Sequence, residues 1–276
     1  MKLGIDLGGT NMRVGLVDAR GTIVAKEIVP CPARESEETV LNALAEVIGS
    51  VITPEVDGIG IGVPTLVDAQ RGIVYNATNI PSWRKVYLKD FITDRFGVPA
   101  AVNNDANCFT LGEARYGMGR GCSSLAGITL GTGVGGGLVI DGKLYNGRNT
   151  GAAEIGELPF GDHNFEYWCS SVFFVREYGI TGKEAADAAR AGKQEALDIW
   201  RHFGHNVGAL VKAVMFAYDP DAIAIGGGIA SAFDLYSDAM MNVVATFPYP
   251  ESLRNLRIAP SQLTDVAIVG AAALTE

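Results

Sequence analysis

Nowhere in this 276-residue chain do two cysteines fall at the CxxC spacing of a zinc knuckle or a redox pair; Cys31, Cys108, Cys122 and Cys169 are scattered. They imply no disulfide framework and are expected to be reduced, mostly buried thiols. Basic clusters are equally scarce. The 22 Lys and Arg stand against 31 Asp and Glu, a net charge of −9, whereas a nucleic-acid surface needs gathered Lys and Arg. No nucleic-acid partner is therefore expected. Long apolar runs are missing too, since nothing approaches the ~20 residues that span a bilayer, so no membrane partner is expected. Met1 leads straight into the first predicted strand, which leaves no room for a signal peptide and sets the expectation of a cytoplasmic protein.

What the chain has in quantity is glycine, 35 residues, within a composition that is 48% hydrophobic and 19% charged, the profile of an α/β protein rather than a disordered or fibrous one. Two glycine-rich segments copy one another. Gly4-Ile5-Asp6-Leu7-Gly8-Gly9-Thr10 runs on to Gly15-Leu16-Val17-Asp18, and Gly127-Ile128-Thr129-Leu130-Gly131-Thr132-Gly133 runs on to Gly137-Leu138-Val139-Ile140-Asp141. Each half thus opens on the same β-hairpin, and the duplication predicts two domains. Glycine turns let backbone N–H groups converge where a side chain would block an anion, so two such hairpins suit a polyphosphate. The plainer alternative is a pair of ordinary hairpins with glycine turns.

Between and beyond the hairpins the pattern alternates strand and helix. A helix is predicted from Ser36 to about Val51, with Val40, Leu41, Leu44, Val47 and Ile48 on one face. A buried strand over 58–63 ends at Pro64, which cannot donate to a ladder. A helix near 87–96 precedes the short strand 100–103, which delivers Asn104 and Asp105 at its carboxyl end, where α/β folds place chemistry. Residues 106–116 and most of 165–218 read as helical. The segment Ile223-Ala224-Ile225-Gly226-Gly227-Gly228 repeats the strand and glycine turn, and 266–274 forms a short apolar helix that returns to the first half.

These motifs, in this order, resemble the ROK family of sugar kinases. The fold that resemblance implies is a two-domain α/β, ribonuclease-H-like one (the actin/hexokinase/Hsp70 ATPase fold) with an interdomain cleft. Its smaller domain is expected at 1–110 plus 263–276 and its larger at 111–262. The resemblance identifies Asp6, Gly8, Gly9, Thr10 and Asn11 with a first phosphate motif, Gly131, Thr132 and Gly133 with a second, and Gly226, Gly227 and Gly228 with an adenosine motif. It implies ATP as donor and Mg²⁺ near Asp6 through water; Arg13 either touches phosphate or braces the hairpin. Asn104, Asp105, Ala106 and Asn107, with Gly112, Glu113 and Gly117 after them, match the stretch that holds the sugar and supplies the base. A sugar hydroxyl is a poor nucleophile, so phosphoryl transfer benefits from a carboxylate that accepts its proton, and Asp105 is the residue chosen. Asn104 suits orienting hydroxyls. The structural alternative is that Asp105 N-caps the following helix.

The chain departs from the family around the sugar. Where relatives carry Glu-x-Gly-His and a cysteine-rich zinc loop, this sequence has Glu154-Ile155-Gly156-Glu157 followed by the short link Gly161-Asp162-His163-Asn164, with Glu166 retained. A thiolate-rich loop without its metal would carry uncompensated charge, so the two changes go together. No zinc is expected. Glu154, Glu157, Glu166 and Asn79 join Asn104 and Asp105 as sugar-binding candidates. Thr65 replaces a common glycine, either narrowing the pocket or offering a hydroxyl. Trp83, Trp168 and Trp200 have no cluster spacing, and His202 with His205 lacks a third metal ligand, so these are expected in the core, at an interface or on a helix surface.

The resulting expectation is ATP- and Mg²⁺-dependent phosphorylation of a hexose 6-hydroxyl, glucose first. Mannose, allose, fructose and the N-acetylhexosamines N-acetylglucosamine and N-acetylmannosamine are the other acceptors, and polyphosphate the other donor. A non-catalytic sugar sensor is the rival class; such relatives carry an N-terminal winged helix ahead of the hairpin, which here begins at residue 3. The family resemblance implies a homodimer.

Overall fold

The computed structural model describes residues 1–148 and 151–276. Their packing divides into two compact units: 1–121 with 137–152 and 263–276, and 122–136 with 153–262. The first break falls after Gly121, so residues 111–121 pack with the first unit.

The first unit is built on a five-stranded sheet in the order β3-β2-β1-β4-β8, from β1 (Lys2–Leu7), β2 (Asn11–Val17), β3 (Ile23–Pro30), β4 (Ile59–Val63) and β8 (Ala100–Asn104). The first three strands are an antiparallel meander, while β1, β4 and β8 run parallel. A small sheet of β5 (Val67–Asp68), β6 (Ile73–Tyr75) and β7 (Lys85–Tyr87) follows β4. Helix α1 (Glu37–Val51) starts where Ser36 accepts a hydrogen bond from Thr39 N and buries Val40, Leu44, Val47, Ile48 and Val51. Helix α2 (Leu88–Phe96) ends on left-handed Gly97. Leu3, Ile5, Met12, Leu44, Ile48 and Ile61 belong to the core between these layers.

Helix α3 (Asp105–Tyr116) and the C-terminal helix α10 (Val266–Ala272) pack together, and α10 also rests on β1 and β4. Small residues make that approach possible. A Cβ on Gly4 would lie 1.9 Å from the Ile268 carbonyl oxygen, one on Gly60 1.7 Å from that of Ala271, and one on Gly270 1.7 Å from that of Cys108. Backbone thus lies on backbone, with no room for a methyl group.

The second sheet takes the same relative order, β11-β10-β9-β14-β15, from β9 (Ser124–Leu130), β10 (Val134–Ile140), β11 (Lys143–Leu144), β14 (Ala222–Gly226) and β15 (Arg257–Pro260). Again a hairpin comes first and two parallel strands follow its opening strand, so the duplication legible in the glycine motifs extends to topology. A two-residue hairpin joins β12 (Pro159–Phe160) to β13 (His163–Asn164), ahead of α4 (Phe165–Cys169), α5 (Val172–Tyr178), α6 (Gly182–Arg190) and the long α7 (Gln194–Tyr218). Helices α8 (Phe233–Val244) and α9 (Pro250–Asn255) follow. Phe173, Phe174, Trp200, Phe203 and Tyr236 form a continuous aromatic core with centroids 4.7–6.0 Å apart. Trp83 is buried, as expected of packing. The four cysteines are unpaired, with Cys108 and Cys169 buried and the other two partly so. Among the described residues no helix is long and apolar enough to cross a membrane.

Gly60→Ala is expected to cost about 3 kcal/mol or to abolish folding, because neither the strand nor α10 can retreat without emptying the core. Gly49→Ala, in α1 with open space around it, should instead gain about 0.5–1 kcal/mol. Urea unfolding of the two variants checks the contrast.

Candidate functional site

In the first unit the hairpin turn between β1 and β2 closes through Gly8 N donating to Asn11 O at 2.9 Å. Gly9 lies against Asn79, whose Cβ would be 2.5 Å from a Cβ at Gly9, so Asn79 borders the turn carrying Gly8, Gly9, Thr10 and Asn11. Asp6 stands opposite Arg13 in the strand register, and the guanidinium donates to its carboxylate at 2.9 Å. Arg13 therefore braces the hairpin. Burial raises the Asp6 carboxyl above its ordinary value, Arg13 opposes that rise, and the charge of Asp265 adds to it.

The parallel register aligns Asp6 with Gly62 and Gly62 with Asn103, which brings Asp6 and the Asn104-Asp105 pair to one edge of the sheet. The cap alternative is corrected here: Asn104, not Asp105, is the N-cap. Its Oδ1 accepts from Ala106 N at 2.8 Å and Asn107 N at 3.4 Å, while Nδ2 donates to Thr65 O at 3.2 Å. Asp105 becomes the first helical residue, where the helix dipole favours negative charge. Gly62 lies beneath it, since a Cβ there would be 3.6 Å from Asp105 Cα. The Thr65 hydroxyl turns away to Tyr75 O at 2.8 Å, tying the small sheet to this loop. Asn103 escaped the sequence reading. Buried at 3% exposure, its amide joins Asn146, Asn104 N and Asn107; the run of asparagines was the available signal. Glu113 is structural, accepting from Met118 N across the turn at Gly117.

In the second unit the turn at Gly131, Thr132 and Gly133 is held from two sides. Gly131 O accepts from Ser171 N at 2.7 Å, and Glu166 accepts from Val134 N at 3.1 Å. Gly133 has no room for a side chain because Glu166 fills it, but around Gly131 and Gly228 there is open space. Gly226 ends β14, and Gly227 has φ +82° with Leu130 O 2.3 Å from where a Cβ would lie. A cavity of about 510 Å³ is lined by Gly131, Thr132, Ala186, Trp200, Gly228 and Ile229, a size and apolar floor suited to a nucleoside with its phosphates at the glycine turn. Lys183 and Asp187 pair at 2.6 Å on its α6 wall. The sequence reading of 165–218 as mainly helical covers α6 but not its place at this cavity: the capping box of Thr181 and Glu184 marks a helix start and says nothing of what that helix lines.

Segment 153–157 lies directly on the start of β10. A Cβ on Gly136 would meet Ala153 O at 2.3 Å and one on Gly156 would meet Val134 O at 2.4 Å, and Ala153 takes φ +61° to fit. The segment carries Glu154 and Glu157. Burial first, then the like charges of Glu157 and Glu166, raise the Glu154 carboxyl above its ordinary value. Glu157 accepts from Asn164 Nδ2 at 3.0 Å. Among the described residues no group of three or more His, Cys, Asp or Glu is placed to hold a metal ion. His202 packs edge-on to Phe173 and bonds the Tyr178 hydroxyl at 2.7 Å, a packing role, and His205 on the same helix is exposed.

Two copies of one strand order, each opening on a glycine hairpin, with a nucleoside-sized cavity on one and a strand-end carboxylate on the other, are the layout of the ribonuclease-H-like fold, and the relatives below make the chain a sugar kinase of that fold. The ROK family model matches residues 2–276, and the chain belongs to that family. It is 32% identical over 304 residues to the glucokinase of Thermotoga maritima, covering 99% of this chain and 96% of that one. An N-acetyl-D-glucosamine kinase of Haemophilus influenzae is 27% identical over 290 residues, covering 94% and 93%. The crystal structure of a ROK family glucokinase from Streptomyces griseus with glucose and AMPPNP matches with TM-score 0.83 and 31% identity, covering 99% and 98%.

Gly228→Val is expected to leave the unfolding temperature unchanged while raising the nucleotide KM at least about ten-fold, because open space rather than protein surrounds that glycine. For Glu154 the raised carboxyl sets the sign. Its protonated form favours the folded state, so the associated stability is complete below the ordinary value of 4.5 and is lost as pH rises through the higher folded value. Glu154→Gln should therefore melt higher than the parent at pH 7 and match it at pH 4, as read by thermal melts across pH.

Proposed function

We propose that this protein transfers the terminal phosphoryl group of ATP to the 6-hydroxyl of a hexose, glucose before others. The observation that carries the proposal is Asp105, a carboxylate on the first turn of α3, above Gly62 and at the same sheet edge as Asp6. Asp105 accepts the proton of the attacking hydroxyl as the oxygen–phosphorus bond forms, and ADP leaves. Asn104, whose oxygen caps the helix, contributes through its amide, and Asn79 through its place beside the first turn. In the second unit, N–H groups of the turn at Gly131, Thr132 and Gly133 receive phosphate oxygens, the cavity beside Gly226, Gly227 and Gly228 receives the nucleoside, and Glu154, Glu157 and Glu166 receive sugar hydroxyls.

Mg²⁺ fits the residues present through Asp6: the ion would be held by phosphates and water, and the Asp6 carboxylate, already oriented by Arg13, would take one of those waters. When bound, it neutralises phosphate charge. The apolar floor made by Ala186, Trp200 and Ile229 favours a nucleotide over polyphosphate, which offers nothing to bury there. A homodimer acting in the cytoplasm, without nucleic acid or membrane, completes the proposal on the family resemblance and the net negative charge.

One observation favours a second acceptor class. Glu157, ionised, accepts hydrogen bonds and donates none, and an acetamido N–H is a donor that suits it, so N-acetylhexosamines stand next to glucose. Coupled ADP release with ATP, Mg²⁺ and a panel of hexoses and N-acetylhexosamines tests both. Release that no sugar stimulates would refute the proposal. Asp105→Asn should lower kcat by about 10²–10⁴-fold with the sugar KM little changed; retained turnover would remove Asp105 as the base.

A further inference from the structure

Between Glu157 and Glu166, in place of a cysteine-rich loop, the chain builds a hairpin fastened to the helix that follows it. Strands β12 and β13 pair Pro159 with Asn164 and Phe160 with His163, around Gly161 at φ +61°. Phe160 stacks on Phe165 at 4.6 Å and His163 on Tyr167 at 3.8 Å, both within 13° of parallel, and Phe165 N donates to Leu158 O at 3.1 Å. Two ring stacks and a ladder thus fix the last residue of the hairpin, Asn164, relative to α4.

Asn164 uses both ends of its amide. Oδ1 accepts from Tyr167 N at 2.9 Å and caps α4, and Nδ2 donates to Glu157 at 3.0 Å. Glu166, the second residue of α4, accepts from Val134 N beside the second glycine turn. The amide therefore joins Glu157, on the segment packed over β10, to the helix that carries Glu166 and braces the phosphate turn. Asn164 and Glu166 both line an open groove of about 460 Å³, so this junction is within reach of a ligand.

We propose that Asn164 is a positioning residue for the acceptor carboxylates, setting Glu157 by its N–H₂ group and Glu166 by its cap. The inference rests on the reading of Glu157 and Glu166 as acceptor residues. A cap alone would be served equally well by serine, whose shorter side chain accepts from the helix N–H but cannot reach Glu157. An aspartate would keep the cap and set a like charge against Glu157.

The test compares Asn164→Ala, Asn164→Ser and Asn164→Asp with the parent, reading melting temperature, acceptor KM, ATP KM and kcat, with hexose affinity measured in parallel by calorimetry, which needs no turnover. Expected are a parental melting temperature for the Ser and Asp variants, an acceptor KM raised about ten-fold in Ala and Ser and further in Asp, and ATP KM and kcat within about two-fold. Adding Glu157→Ala to Asn164→Ala should raise the acceptor KM by less than the product of the two single effects. A Ser variant with parental acceptor KM would overturn the proposal and leave a cap only; equal rises in acceptor and ATP KM would overturn it as general disorder of the unit. A parent that binds hexose without turnover sinks the kinase reading alone, since the affinity comparison still decides the role of Asn164. A parent that neither binds nor turns over hexose overturns both.

Discussion

The backbone contact between α10 and the first sheet is the constraint on which the rest of the first unit depends. Gly4 and Gly60 admit the helix onto β1 and β4, and Gly270 admits α3 onto the helix. These contacts tie residues from both ends of the chain into one body. The first glycine turn is the continuation of β1, and Asp105 is the first residue of α3. In the roles proposed for them, as base and phosphate turn, they must keep their geometry to within a fraction of an ångström to be useful, and close-packed backbone has few ways to yield. The small residues at these positions set the stiffness of the site without touching any ligand.

Glycine in this chain consequently has two meanings that composition does not separate. Gly4, Gly60, Gly136 and Gly156 are small because protein backbone occupies the space where a Cβ would be; Gly131 and Gly228 are small with empty space beside them. The sequence motifs mix both kinds. Residue type alone therefore does not say which glycines leave space for a ligand and which leave it for the protein's own backbone.

The legible part of the fold was the part written in local pattern. The duplicated hairpins, the face of α1 with its Ser36 cap, and the delivery of Asn104 and Asp105 at the end of β8 follow from periodicity, capping chemistry and the behaviour of strand ends. What escaped depends on contacts between residues distant in the chain. That Asn103 would gather Asn107 and Asn146, that the Thr65 hydroxyl would turn to Tyr75, and that α6 would wall the cavity beside Gly131 and Gly228 are products of tertiary packing. The cap alternative fell on the wrong one of the two neighbours, Asp105 instead of Asn104, for a related reason. Both residue types cap helices well, and only the position at which the strand stops decides which of two neighbours is left outside the first turn.

The candidate polar residues share a further property: most hold the fold as well as the chemistry. Asp6 receives Arg13, Asn104 caps α3, Glu166 receives Val134 N and Glu157 receives Asn164. A carboxylate can do both because it has two oxygens and about four lone pairs, so one hydrogen bond from the scaffold orients it and leaves acceptor capacity for a ligand. A neutral imidazole has one acceptor and one donor, and orienting it from the scaffold consumes one of the two. A metal-bound loop supplies that orientation from outside; where the loop is a hairpin with no cysteines, a side chain that can be held by an amide and still accept is the better fit. On this argument glutamate at 157 and asparagine at 164 are one substitution in two places, each of little use without the other. The accompanying cost is three carboxylates in one neighbourhood, whose like charges add to burial, the larger cause, in raising the carboxyl of Glu154. On the proposed function, a ligand that brings hydrogen-bond donors would relieve that cost, so these carboxylates would gain more from a donor-rich acceptor such as a hexose than neutral side chains in the same places.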